Sequence, residues 1–335
     1  MKTSDFDYHL PDNSIAQIPI EPRDSSRLLV LDRKTGEVTH RIFRDIGEYL
    51  NPGDLLVLNQ TRVIPARLYA HKPTGGRVEI LLLKREDLLT WECLVGGKGL
   101  SAGKRLSVEN GPDADILSVL EGSRRLIKFS EPVEPFFPKA GHIPLPPYIH
   151  TALSDPERYQ TVYARESGSA AAPTAGLHFT PRLLEELRRK GVQIAYVTLH
   201  VGLDTFAPVN EENPEEHTIH TEWCELGRET ADLINQSRNR GGRIVAVGTT
   251  SVRTLESWKG GIPIHPFNGP TDLFILPGYK FNLVDGMVTN FHLPQSTLLM
   301  LVSAFAGREL ILKTYETAIK EGYRFYSFGD AMLLQ

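Results

Sequence analysis

Between residues 66 and about 150 the chain changes texture, and this change limits the fold more than any other feature of the sequence. Short β-type runs at 68–70, 78–83, 91–95, 105–108, 116–120 and 126–129 alternate with Gly and Pro turns, and no long helical period appears. Closely spaced strands without helices predict a small β-barrel. The proline-rich stretch 132–147 reads as an extended linker leading out of it.

On both sides, strand and helix signals alternate. Before the barrel, 28–32 and 38–42 predict a hairpin about Lys34-Thr35-Gly36, and 54–58 predicts a buried strand after the Pro52-Gly53 turn. After it, Thr180-Pro181 opens a helix over 181–190 that Gly191 ends. The runs 193–201 and 243–247 are strands, and 221–238 is largely helical. The runs 272–275, 281–284 and 288–289 add strands, the last two as a hairpin about Asp285-Gly286. Helices follow at 296–306 and 309–320, then a last strand at 323–328. The expected architecture is an α/β main domain, residues 1–65 and 151–335, interrupted by an inserted small all-β barrel domain, residues 66–150.

Composition excludes several functions. A net charge of −4 argues against a globally basic nucleic-acid binder and leaves room only for a local basic face. Cys93 and Cys224 lie far apart without CxxC spacing. Residues 1–10 hold several charges and no apolar signal core, and no run approaches membrane-spanning length, so a cytoplasmic protein away from the membrane is expected. No GxxxxGK[ST], GxGxxG or G-x-S-x-G occurs. His178, His200, His217, His220 and His292 gather in the second half without metal-ligand spacing, so no metal is expected.

Polar residues concentrate behind β-runs. Asn59 to Arg62, His200 to Thr205, Thr249 to Arg253 and Asp330 each follow one. Parallel strands would bring these sets to one sheet edge, where α/β proteins place ligands. Hydroxyls, two arginines, an imidazole and a carboxylate suffice there for acid–base work on a polar ligand. The small-residue loop 170–180 contains Gly176, free to take φ > 0, and feeds a helix N-terminus, a setting that suits an anion and close approach of ligand to backbone.

Longer motifs are specific. They include Phe6-Asp7-Tyr8-His9-Leu10-Pro11, Gly53-Asp54-Leu55-Leu56-Val57-Leu58-Asn59-Gln60-Thr61-Arg62-Val63 and Ala171-Ala172-Pro173-Thr174-Ala175-Gly176-Leu177-His178-Phe179-Thr180. Thr198-Leu199-His200-Val201-Gly202, His220-Thr221-Glu222-Trp223, Gly248-Thr249-Thr250-Ser251-Val252-Arg253, Thr289-Asn290-Phe291-His292-Leu293-Pro294 and Phe328-Gly329-Asp330 follow. With these, the chain closely resembles, over nearly its whole length, the S-adenosylmethionine:tRNA ribosyltransferase-isomerases of queuosine biosynthesis. One departure is Asp204, where the family pattern has Gly.

The resemblance implies that S-adenosylmethionine is a co-substrate donating a ribosyl group, with no metal or other cofactor. The acceptor is the aminomethyl group of a 7-deazaguanine at the wobble position of a tRNA with a GUN anticodon, recognised through its anticodon stem-loop. The enzyme would act as a monomer. His178 and His200 are the candidates for proton transfer. Glu222 or Asp330 would hold the ribose hydroxyls or the sulfonium, and Arg62 or Arg253 the methionine carboxylate. Asn59, Thr61, Gly176, Thr249 and Thr250 complete the expected substrate site. Arg67, Lys72, Arg77 and Lys98 are the expected tRNA-binding residues. The competing reading is a non-catalytic or metal-dependent RNA-binding relative of the same fold.

Overall fold

The structure, a computed structural model, describes residues 1–202 and 208–335; the departure at Asp204 lies outside them. The chain divides into two compact units. One comprises residues 1–62, 147–166 and 172–335, the other residues 63–146 and 167–171.

The larger unit is built on a nine-stranded mixed sheet. Its strands are β1 (Arg27–Leu31), β2 (Val38–Ile42), β3 (Leu55–Asn59), β12 (Gln193–Leu199), β13 (Glu222–Leu226), β14 (Ile244–Val247), β15 (Phe267–Thr271), β16 (Gly286–Asn290) and β17 (Ala331–Leu334), in the order β15-β13-β12-β3-β14-β16-β17-β1-β2. The central strands β12, β3, β14 and β16 are parallel, and β17 runs antiparallel to β16. Strands covered on both faces read as continuous apolar runs, as β3 and β14 do.

Alternation divides the sheet's residues between two cores. Leu55, Val57, Ala195 and Val197 pack with α3 (Arg228–Asn239), α4 (Thr249–Glu256), α5 (Thr297–Ala306) and α6 (Arg308–Lys320). Leu56, Leu58, Val245 and Val247 pack with α2 (Pro181–Arg189) and the 3-10 segment Phe43–Tyr49. Thr180 caps α2 through its hydroxyl, which accepts from the Leu183 amide, as the Thr-Pro start requires.

The smaller unit is a closed six-stranded antiparallel barrel of β5 (Arg67–His71), β6 (Arg77–Arg85), β7 (Thr90–Gly96), β8 (Arg105–Val108), β9 (Ala114–Val119) and β10 (Arg124–Phe129). Leu68, Ile80, Leu82, Cys93, Leu106, Ile116 and Ile127 are buried in it, and closure leaves no open edge. Two short strands, β4 (Thr61–Val63) and β11 (Glu166–Ser169), lie where the chain passes between units. The stretch read as an extended linker contains a 3-10 turn, Glu134–Phe136, and a short helix, α1 (Phe137–Ala140).

Several local expectations are corrected. Residues 281–284 form no strand: the Glu256 carboxylate accepts from the amides of Asn282, Leu283 and Val284, so a side chain replaces the strand partner. The strand expected at 272–275 lies earlier, at β15, and the helix expected over 221–238 begins only after β13. The last strand is β17 rather than 323–328, where Tyr326 takes φ 69° and breaks extended geometry.

Candidate active site

Because β3, β12, β14 and β16 are parallel, Asn59, Leu199, Val247 and Asn290 end at one sheet edge. Strand β17 starts at the same edge, paired through Ala331 with Asn290, so Asp330 reaches it by running the other way. Asn59, His200, Thr249 and Asp330 thus lie at one edge, although Asp330 precedes a strand rather than following one, and residues 203–205 of the expected set lie outside the described residues.

A narrow cavity of about 50 Å³ opens at this edge. Its lining includes Ala172 to Ala175, Gly248 to Thr250, Thr289 to Leu293, Val201 and Tyr326. Gly248, at φ 85°, turns the chain from β14 into α4 in a conformation that side chains disfavour. No side chain caps α4, which starts at the cavity, where Gly248, Thr249 and Thr250 are lining residues.

Asn290 lies at the centre of this lining, and sequence reasoning assigned it no role. Its amide oxygen accepts from Thr174 Oγ1 at 2.9 Å, and its Nδ2 donates to His178 Nε2 and to the Tyr326 carbonyl, both at 3.2 Å. His178 Nε2 must then be the acceptor, so Nδ1 carries the proton and donates to Ser26 Oγ at 2.8 Å. Burial, then the charges of Arg324 and Arg23, push the imidazole down to about 3. His178, stacked on Phe43, thus stands behind Asn290 as a neutral support and does not line the cavity. His292, also held down to about 3 by burial, bonds Thr289 Oγ1 through Nε2 at 2.7 Å. The signal that finds Asn290 and His292 is their place directly at and behind the β16 run.

A second cavity of about 40 Å³ shares Leu298 with the first. It contains Glu222 and Arg253, which form a buried ion pair, each side chain 6% exposed. Glu222 Oε1 also accepts from the Gly202 amide at 2.8 Å, and Arg253 Nε donates to the Leu273 carbonyl at 3.1 Å. Among the described residues, the buried Arg253 Nη2 has no hydrogen-bond partner.

The remaining expected site residues divide by what they touch. Asn59 is wholly buried; Nδ2 donates to the Leu199 carbonyl and Thr250 Oγ1, and its oxygen accepts from the Thr61 and Leu199 amides. It latches β3 to β12 and α4 and has nothing left for a ligand. Thr61 Oγ1 bonds His200 Nδ1 at 2.8 Å, and burial holds His200 below its usual pKa against the opposing charge of Glu166. Asp330 accepts from the Arg27 and Arg324 amides at 2.9 and 2.8 Å, so its carboxylate closes a turn and lines neither cavity. Arg62 is paired with Glu157.

Gly176 does not take positive φ. A Cβ there would meet the Tyr163 hydroxyl at 2.0 Å, so the glycine makes room for a tyrosine rather than a ligand.

In the barrel, Arg67 is paired with Glu79 and Arg77 is bidentate to Glu109, at 2.8 and 3.1 Å. Lys72 Nζ donates to the Lys98 carbonyl; Lys98 is exposed and Lys72 half-buried. Among the described residues, no group of three or more His, Cys, Asp or Glu is arranged to hold a metal, and no helix is long and apolar enough to cross a membrane.

The family model for "Queuosine biosynthesis protein" matches residues 3–334. Relatives named S-adenosylmethionine:tRNA ribosyltransferase-isomerase, from Acetivibrio thermocellus and Carboxydothermus hydrogenoformans, are each 55% identical, with both chains covered in full. A crystal structure of S-adenosylmethionine tRNA ribosyltransferase from Thermotoga maritima is similar at 45% identity and a TM-score of 0.58, covering 99% of this chain and 100% of that one.

Proposed function

Since the chain belongs to the queuosine biosynthesis protein family, we propose that it transfers and isomerises the ribosyl moiety of S-adenosylmethionine onto a 7-aminomethyl-7-deazaguanine at the tRNA wobble position. Epoxyqueuosine-tRNA forms, and adenine and methionine leave. The observation that carries this reading is the full-length match to relatives bearing that enzyme name. The reading extends to a cytoplasmic monomer that acts without metal on the anticodon stem-loop of tRNAs with GUN anticodons.

The chemistry sets demands that the sheet edge can meet. The sulfonium acidifies the C5′ protons of the donor, and one must pass to a base. Adenine needs a proton or a hydrogen bond to leave, and the acceptor amine must be neutral, which a dry pocket favours. His200, kept neutral by burial and oriented by Thr61 at the same sheet edge, is the proposed proton acceptor. His178 is a positioning residue for Asn290. The unpartnered Arg253 Nη2 supports a role in holding the methionine carboxylate, with Glu222 fixing the guanidinium. Thr249 and Thr250 face the donor's polar groups.

The test is one incubation of precursor tRNA and S-adenosylmethionine without added metal, followed by nucleoside mass analysis. Adenine release with a modified nucleoside is expected; intact tRNA binding without either favours the non-catalytic relative. In single-turnover transfer, His200→Ala should slow the reaction on the order of a hundredfold or more. His178→Ala should slow it less and leave the pH profile in place. Equal rates for wild type and His200→Ala would remove His200 from the chemistry.

Binding of tRNA should weaken as salt rises, because each phosphate neutralised releases counterions. Joint replacement of Arg67, Lys72, Arg77 and Lys98 by alanine should flatten that slope in filter binding. An unchanged slope would show that the barrel contributes no phosphate contacts.

A further inference from the structure

A cavity of about 380 Å³, in the range of small-ligand sites, shares no lining residue with the two described above. Its lining includes Gln60, Arg165, Tyr196, Thr198, Glu225 and the start of α3. Tyr196, Thr198 and His200 alternate along β12 and so present one face. Across the strand, Thr198 pairs with Glu225, and the His200 amide bonds the Trp223 carbonyl at 3.0 Å, which sets Trp223 and Glu225 on that same face.

This face carries four flat groups in two pairs. The Arg165 guanidinium lies 5.2 Å from the Tyr196 ring centroid. Trp223 is 40% exposed and stacks on His200, with centroids 5.6 Å apart and planes 20° apart. Gln60 is 91% buried and its Nε2 donates to Thr198 Oγ1 at 3.2 Å, while its Oε1 has no partner among the described residues. A buried amide oxygen without a donor costs free energy until something donates to it.

We propose that this face binds single-stranded RNA, holding unpaired bases of the tRNA loop beside the reacting nucleotide. The inference rests on the proposed function for the identity of the RNA. Unstacked bases are recognised by stacking on aromatic and arginine planes and by amides that reach their edges. Tyr196–Arg165 and His200–Trp223 supply the planes, and Gln60 Oε1 accepts from a base N–H. Glu166, Glu225 and Glu229 outnumber Arg165 and Arg228 in the lining and disfavour phosphate within the cavity, so the base enters and the backbone stays outside.

The test measures RNA affinity directly, by fluorescence anisotropy of a labelled anticodon stem-loop bearing the wobble precursor, with turnover followed separately. Trp223 is exposed, so Trp223→Ala should fold as the wild type does. It is expected to raise the dissociation constant for the stem-loop about tenfold, the usual loss for one base–aromatic stack. Trp223→Phe should restore most of the affinity, and Gln60→Leu should weaken binding while relaxing discrimination among single-base changes in the loop. Calorimetric affinity for S-adenosylmethionine should stay the same in all three. Unchanged stem-loop affinity in Trp223→Ala and Gln60→Leu overturns the proposal, and so does weakened binding of S-adenosylmethionine alone. If the wild type binds the stem-loop through Trp223 but releases no adenine, the RNA site stands and the proposed reaction fails.

Discussion

Glu222→Ala is expected to lower stability by about 3–5 kcal/mol, because it leaves the Arg253 guanidinium buried and without its counter-charge. The pair lies beside Leu273, Phe274, Ile275 and Leu298, and a neutral water is a poor substitute for the lost carboxylate. Arg253→Met should cost less than Glu222→Ala, since a buried carboxylate can still accept from the Gly202 amide. The double variant Glu222→Gln/Arg253→Met should recover much of the loss, as removing both charges of a buried pair often does. Urea midpoints of the four proteins check this; a Glu222→Ala midpoint equal to the wild type's would mean that the pair is not buried in solution. The same variants bear on the site. If Arg253 Nη2 takes the methionine carboxylate, saturating S-adenosylmethionine should raise the thermal midpoint of the wild type more than that of Arg253→Met.

Mild acid is the second large lever. His178 and His292 are each pushed down to about 3, chiefly by burial, whereas in the unfolded chain they titrate near 6.5. Below about pH 6.5 the unfolded state therefore binds more protons than the folded one. The stability that depends on keeping these rings neutral is complete above that pH and is lost as pH falls from 6.5 towards 3. Each ring contributes about 1.4 kcal/mol per pH unit inside this window, so both together remove on the order of 4 kcal/mol between pH 6.5 and 5. Denaturant midpoints at pH 7, 6 and 5 should fall accordingly. His292→Gln, which keeps a partner for Thr289, should halve the slope. A wild-type midpoint that does not move between pH 7 and 5 would contradict the buried, neutral state of both rings.

Much of the architecture was legible in the sequence because it is written in local periods. The barrel announced itself through short strands and turns, and the main sheet through apolar runs such as 54–58. The family was legible in long ordered motifs. The placement of individual side chains was less so, because it depends on partners distant in the chain. Asp330 follows a polar turn like any ligand-binding carboxylate, yet two backbone amides claim it, one of them 303 residues away. Glu222 and Arg253 looked like separate ligand contacts and are each other's partner. Gly176 signalled space, but the space belongs to Tyr163. Asn290 carries no legible role in its motif, since only the contacts of His178, Thr174 and Tyr326 give it a fixed orientation.

The place of β17 in the sheet reaches into how the protein is made. Among the described residues, hairpin β1–β2 joins the rest of the sheet through β17 alone, the element synthesised about 300 residues after it. On the ribosome, that hairpin must wait with one side unpaired while the barrel and the parallel strands are laid down. Closing so long a loop slows folding, as pairings of high sequence separation do. The sheet is therefore completed from its interior, and last of all, by a strand of four residues.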